Sequence, residues 1–368
     1  MNVLVLSKYD QLAASTRYRF TQFFPSLRAA GVDVTLSPLL DDAYLAGRFG
    51  AGGSVVPSYA AAFARRLRAV LSARRYDLVW LYCEAFPYLP DWFEGMLRAM
   101  GVPYVYELDD AFFHQYDAHP NPLVRRLLGD KIRHVIRGAR GVIAGNAYLA
   151  EYARAVQPNV WVVPTVVDTD RYVPVVSEPG ARPFTVGWIG SPSTAPYLRE
   201  VHGALRRFCA TSGARVVAVG AGDLVLDGVP LVHRRWSEAT EVAEIQGFDV
   251  GIMPLPDTPW ARGKCAFKLV QYMACGVPVV ASPVGMNASL VSHGFDGFHA
   301  RDEDAWVSAL AALRDDVTLR ARMGAAGRRT IERGYSLAVT APRLAGILRE
   351  GTDPAASNAH VASGRVLV

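Results

Sequence analysis

The chain is 368 residues long, 51% of them hydrophobic and 20% charged, with a formal net charge of +5. That length exceeds one ordinary hydrophobic core and suits two domains; no run approaches the roughly 18 uninterrupted apolar residues of a spanning helix, which predicts a soluble or peripheral protein. Cys83, Cys209, Cys265 and Cys275 form no C-x-x-C pair and have no histidine set beside them, so zinc and disulfide scaffolds are not signalled, and a reducing, cytoplasmic compartment is the simplest fit.

The first run, Met1-Asn-Val-Leu-Val-Leu, passes at once into Ser7-Lys8-Tyr9-Asp10. It lacks the charged start and long apolar stretch of a secretory signal and predicts a buried strand over 3–6. A helix over 21–30, a strand over 33–36, a helix over 59–73 and a strand over 78–82 follow. Then come a helix over 89–100, a strand over 104–108, a helix over 123–137 and strands over 141–144 and 161–163. Gly31 and Gly101 stand where a helix C-cap favours positive φ. The steady alternation predicts right-handed βαβ units and a parallel sheet.

Residues 174–183 (PVVSEPGARP) are rich in Pro and Gly without periodicity and read as an interdomain linker. The alternation then restarts with strands over 184–189, 215–219, 250–253 and 278–281 and helices over 197–211, 239–246 and 267–275. Helices over 304–314, 317–332 and 336–349 close the pattern. The expected organisation is α/β, with two Rossmann-like doubly wound domains over 1–173 and 184–335. A C-terminal helix over 336–350 is expected to pack back on the first domain, followed by a disordered tail over 351–368.

Basic residues cluster in two N-terminal helical stretches: Arg65, Arg66, Arg68, Arg74 and Arg75, then Arg125, Arg126, Lys131, Arg133, Arg137 and Arg140. Such a surface suits an anionic membrane or a phosphorylated acceptor. A plain solvated helix face is the competing reading. No nucleic-acid partner is indicated.

The most informative segment runs from Phe248 to Leu255, through residues 260–273 (WARGKCAFKLVQYM), to Ser282. A strand there ends in a loop that feeds directly into a helix, and ligands in open α/β sheets bind at the carboxyl ends of strands. The backbone at Cys265, Ala266 and Phe267 would present first-turn N–H groups to an anion, with Lys264 and Lys268 adding charge. The plain alternative is two surface lysines ahead of an ordinary helix.

These residues resemble glycosyltransferase family 4, in their order and spacing more than singly. The likeness is carried by Lys264-x-x-x-Lys268 and Tyr272-Met273-Ala274-x-Gly276-x-Pro278-Val-Val-Ala-Ser282. Val284-Gly285-x-Asn287, Val186-Gly187-Trp188-Ile189-Gly190-Ser191, Pro164-Thr165-x-x-Asp168 and Gly145-Asn146-x-x-Leu149 complete it. The resemblance implies a GT-B fold whose two domains face across a cleft. It implies retaining, metal-independent transfer from a nucleoside diphosphate sugar to a hydroxyl, with no cofactor besides that co-substrate. The acceptor class stays open between lipid-linked and glycan, and the cytoplasmic placement extends to the inner face of the membrane.

The chain departs from the family's Glu-x7-Glu at Gly263 and Gln271. Gln271 keeps an acceptor for the ribose but not a charged, bidentate one. The resemblance makes Lys268 and Lys264 the groups that stabilise the leaving diphosphate. It places Arg17, Gly190, Ser191, Gly285 and Asn287 at strand-end loops near the donor, and Arg235 and Trp236 near its base. Asp109, following strand 104–108, is the candidate to meet the reacting hydroxyl, with Asp110, His114 and Glu84 on the acceptor side. N-capping by the Asp pair and a structural role for the lone histidine compete with this. Two other readings compete: a nicotinamide dehydrogenase, from the incomplete Gly-x-Gly at Gly220-Ala221-Gly222, and a GT-B binding or accessory subunit without catalysis.

Overall fold

The structure is a computed structural model that describes residues 1–49, 59–175 and 182–353; residues 176–181 of the expected linker and the expected tail beyond 353 lie outside these described residues. The chain divides into two compact units, Met1–Pro164 with the segment from Thr340 onward, and Thr165–Val339.

The first unit is built on β1 (Asn2–Tyr9), β2 (Asp33–Leu40), β3 (Leu78–Tyr82), β4 (Tyr104–Leu108), β5 (Gly141–Ala144) and β6 (Val160–Val162). They form one sheet in the order β2-β1-β3-β4-β5-β6, with every adjacent pair parallel. β3, β4 and β5 are buried along their whole length, as a sheet covered on both faces requires. β1 and β2 extend beyond their apolar runs because backbone pairing continues to Tyr9 opposite Leu40. Pro38, which cannot donate to a ladder, sits on β2 at the sheet edge.

Several helices differ from the sequence pattern for local reasons. The segment before β2 divides into helix Ala14–Arg19, a 3-10 turn Thr21–Phe23 and helix Phe24–Ala29, with Pro25 in the first turn of the last. Proline is tolerated there because first-turn N–H groups have no intrahelical partner. The helix expected over 123–137 is two, Pro122–Leu128 and Lys131–Gly138, broken at Gly129-Asp130. Helix Ala147–Arg154 was not foreseen; its signal is Asn146, whose side chain accepts from the Leu149 N–H at 2.9 Å as an N-cap.

The second unit holds β7 (Thr185–Ile189), β8 (Arg215–Val219), β9 (Leu231–Arg234), β10 (Val250–Met253), β11 (Val279–Ala281) and β12 (Gly297–His299). Their order is β12-β11-β10-β7-β8-β9, again wholly parallel. β12, three residues without a periodic pattern, escaped the sequence reading. Its core packs Val186, Trp188 and Ile252 of the sheet against Leu205, Phe208, Trp306 and Leu310 of the flanking helices. In each sheet the order of strands reverses once, between β1 and β3 and between β7 and β10, which sets one topological switch point per unit. Among the described residues no helix is long and apolar enough to cross a membrane.

Candidate functional site

At the switch point of the second unit, β10 leads through Pro254 and Leu255 into helix Pro259–Arg262, started by Thr258, whose side chain accepts from the Ala261 N–H, and by Pro259. After four intervening residues helix Phe267–Ala274 begins. Its N-cap, Ala266, is fully buried and takes φ 50° and ψ 24°. A left-handed alanine costs about 1–2 kcal/mol, so surrounding packing holds this turn open against its preference. The helix is fixed in its last turn. Tyr272 accepts from the Ile189 N–H of β7 at 2.9 Å, and Arg328 donates to the Ala274 carbonyl at 2.7 Å.

This turn brings the two lysines to the mouth of the switch point. Lys268 lies with its Nζ 5.1 Å from the Trp188 ring centroid, and Lys264 with its Nζ 5.4 Å from that of Trp260. Gly190, just past β7, makes room for this: a Cβ there would lie 2.9 Å from Lys268 Cε and 2.5 Å from the Trp188 ring. Burial, then the neighbouring charge of Lys264, push the Lys268 ammonium down to about 8. A cation so perturbed and aligned with a helix N-terminus gains most from an anionic ligand.

Gln271, one turn on, is buried and donates from Nε2 to the Tyr172 hydroxyl at 3.0 Å. Tyr172 in turn donates to Glu241 Oε1 at 2.7 Å, which also accepts from Arg171 at 2.9 Å. The other Glu241 oxygen accepts from Trp236 Nε1 at 3.1 Å. One buried carboxylate therefore joins Trp236, expected near the base, to Gln271, expected near the ribose. Arg235 beside it is exposed.

Gly285 has φ 54° and ψ −130°, a region closed to side chains, and a Cβ there would meet the Arg262 carbonyl oxygen at 2.6 Å. Asn287 donates to the carbonyls of Met253 and Ser282 at 3.3 and 3.2 Å, knitting the ends of β10 and β11 together. Ser191 shares a hydrogen bond with Ser193 at 2.8 Å.

In the first unit, Arg17 donates to the carbonyls of Gln11 and Leu12, at 2.9 and 2.7 Å, and so shapes the loop after β1. Arg19 is buried against Glu107, whose other oxygen accepts from Trp80 at 2.9 Å. Burial pushes the Glu107 carboxyl up to about 7 against the pull of Arg19. Asp109 hydrogen-bonds the Tyr82 hydroxyl, while Asp110 accepts from the Ala111 N–H at 2.9 Å. Both ring nitrogens of His114 are engaged, by Asp117 and by Tyr148, each at 2.9 Å. Glu84 is buried and bonded to Lys131 and to the Tyr116 hydroxyl, each at 2.6 Å. Thus Lys264, Lys268 and Gln271 are gathered by one strand-end loop and helix, with Gly190 of the neighbouring strand end beside Lys268, whereas Glu84 and His114 are tied into local networks. Sequence reasoning missed Tyr172 and Glu241, which carry no local motif. Among the described residues no cluster of three or more His, Cys, Asp or Glu is placed to hold a metal ion.

Residues 22–171 match the family model described as Glycosyltransferase Family 4, and residues 186–316 the model described as Glycosyl transferases group 1. The two matches cover most of each sheet, β1 lying ahead of the first, and are consistent with a GT-B glycosyltransferase. No curated protein matches the chain. Solved structures share the fold over its length: Anabaena HepE in complex with UDP-glucose has a TM-score of 0.70 at 16% identity, covering 95% of this chain and 100% of that one. A glycosyltransferase from Rickettsia africae gives 0.70 at 11% identity, covering 96% and 99%. Sucrose-phosphate synthase from Thermosynechococcus elongatus gives 0.68 at 15%, covering 95% and 98%. At these identities the likeness is one of fold, and the fold is the two-domain α/β arrangement of GT-B proteins.

Proposed function

We propose that this chain transfers a hexosyl or related glycosyl group from a nucleoside diphosphate sugar to a hydroxyl acceptor, with retention and without a metal ion. The observation that carries the reading is the placement of Lys264 and Lys268 at the N-terminus of helix Phe267–Ala274, on the carboxyl side of β7 and β10. A departing diphosphate gathers negative charge as the sugar becomes oxocarbenium-like. Ammonium groups and helix N–H groups already aimed at that charge stabilise it without reorganising. Retention rests on the family resemblance. A uridine nucleotide is the first donor to try, since HepE was solved with UDP-glucose.

The reading places the protein in the cytoplasm, in contact with anionic membrane. Its support is helix Pro122–Leu128, where Leu123 and Leu127 stand 59% and 69% exposed beside Arg126. Such a face suits a lipid–water boundary. The test of the transferase reading is turnover of a panel of nucleotide sugars by the purified protein, with Lys268→Ala as control. Donor release in the wild type, lost in the variant, is the expected result. Donor binding without turnover across acceptor panels would instead identify a binding subunit.

A further inference from the structure

The transferase reading leaves the acceptor unnamed, and the switch point of the first unit bears on it. Lys8, near the end of β1, is half-buried, with its Nζ 5.7 Å from the Tyr9 ring centroid and 6.0 Å from that of Phe112. Among the described residues it has no hydrogen-bond or ion-pair partner. The nearby carboxylate of Glu84 makes its ion pair with Lys131, at 2.6 Å, rather than with Lys8. Burial works to lower the pKa of Lys8, but the acidic groups of Cys83, Tyr9, Glu84 and Tyr88 outweigh it, so the pKa is raised and the ammonium persists.

A second, independent observation points the same way. Helix Tyr59–Leu71 delivers Arg66 to the carboxyl end of β1, where it is 1% exposed and donates to the Ser7 carbonyl. Its Nε and Nη1 are enclosed without a partner. Buried donors are nearly always satisfied, so an unsatisfied guanidinium bonded to the carbonyl of Ser7, the residue before Lys8, marks the end of this strand as short of acceptor atoms. Burial brings Arg66 down to about 9, with only Glu94 opposing it among its charged neighbours. The loop after β3 is also held in unfavourable backbone, with Cys83 at φ 59° and Tyr88 at φ 60°. Strain of this kind persists where the surrounding structure imposes it and clusters at ligand sites.

We propose that the carboxyl end of β1 and β3 is a binding site for an anionic group, a phosphate or carboxylate, carried by the hydroxyl acceptor. Lys8 is its ionic contact, and the rings of Phe112 and Tyr88 face the acceptor's body. The word acceptor rests on the transferase reading; the site itself rests on first-unit residues alone. The anion reaches it from a soluble sugar acid or phosphate, or from a lipid headgroup.

The experiment compares wild type, Lys8→Met, Lys8→Arg and Lys268→Ala. Glucose 6-phosphate and glucuronate probe the soluble source through ligand-induced melting, glucose is the neutral control, and phosphatidylglycerol vesicles probe the lipid source by cosedimentation. An anionic probe at saturating concentration should raise the melting temperature of wild type by about 2–4 °C, or the vesicles should sediment the protein. Either effect should persist in Lys268→Ala and Lys8→Arg and vanish in Lys8→Met, with glucose inactive throughout. The unliganded melting temperature of Lys8→Met, and retention in Lys8→Arg, separate loss of the site from loss of the fold. Binding that survives Lys8→Met, or no Lys8-dependent binding of any probe, overturns the inference. A protein that binds anions through Lys8 but turns over no nucleotide sugar would fail the transferase reading and keep this site.

Discussion

The Tyr172 hydroxyl accepts from the Gln271 amide at 3.0 Å while giving its own proton to Glu241 at 2.7 Å. A phenol has one proton, so the direction of the whole chain is set by the carboxylate. Gln271 must turn its NH2 to Tyr172, which leaves its carbonyl oxygen as the group offered to a ligand.

This predicts the outcome of Gln271→Glu. A carboxylate there meets the lone pairs of the Tyr172 oxygen, with the Glu241 carboxylate beyond, in a buried setting. The new group's pKa in the folded state should rise above its unfolded value. Its neutral form fits, so the variant should approach wild-type stability near pH 4 and lose about 2–4 kcal/mol as pH rises toward neutrality. Donor affinity should fall. Chemical denaturation at several pH values checks this; a difference from wild type that does not change with pH would show that residue 271 carries no buried charge.

Lys268 gives a pH-dependent activity of definite sign. Its ammonium in the free protein is held down to about 8 from the ordinary 10.5. The donor kcat/KM, which reports ionisations of the free protein, should therefore decline as pH rises through about 8. Lys268→Arg should move that limb to higher pH, and Lys268→Ala should lose about 100–1,000-fold in turnover. Stability runs the other way. With the folded pKa depressed, the unfolded chain binds more protons between about 8 and 10.5, so the Lys268 contribution improves over that window. Rate profiles and melting curves on the same samples test both halves.

The proposed function assigns the charge that meets the diphosphate to Lys264, Lys268 and a helix N-terminus rather than to a divalent ion. Activity should stay within about twofold after treatment with EDTA. Abolition by chelator with rescue by magnesium or manganese would require a different centre.

Gly285→Ala should be costly although the residue is exposed. Its φ of 54° with ψ −130° excludes a side chain, and the Arg262 carbonyl oxygen lies 2.6 Å from the Cβ position. The expected loss is about 2–4 kcal/mol of stability, or displacement of the loop carrying Lys264 with a matching rise in donor KM. A variant with wild-type melting and KM would show that this loop is free to shift.

The repeated alternation of apolar strands with amphipathic helices was legible in the sequence, because each unit of it is local: a buried parallel strand needs a run of apolar residues, and a helix needs its period. The Lys264 to Gln271 segment was legible for the same reason, since strand end, loop and helix start follow one another within the chain. What joins Gln271 to Trp236 was not. Tyr172 and Glu241 lie 99 and 30 residues from Gln271 by their numbering, and only the order of strands brings them together. The basic stretches show the same limit: they read as uniform faces, yet Arg66 and Lys131 are buried. A cation's charge is written in the sequence. Whether it meets solvent, as Arg126 does, or a buried carboxylate, as Lys131 does, depends on which partner the sheet topology places against it, and no local pattern encodes that.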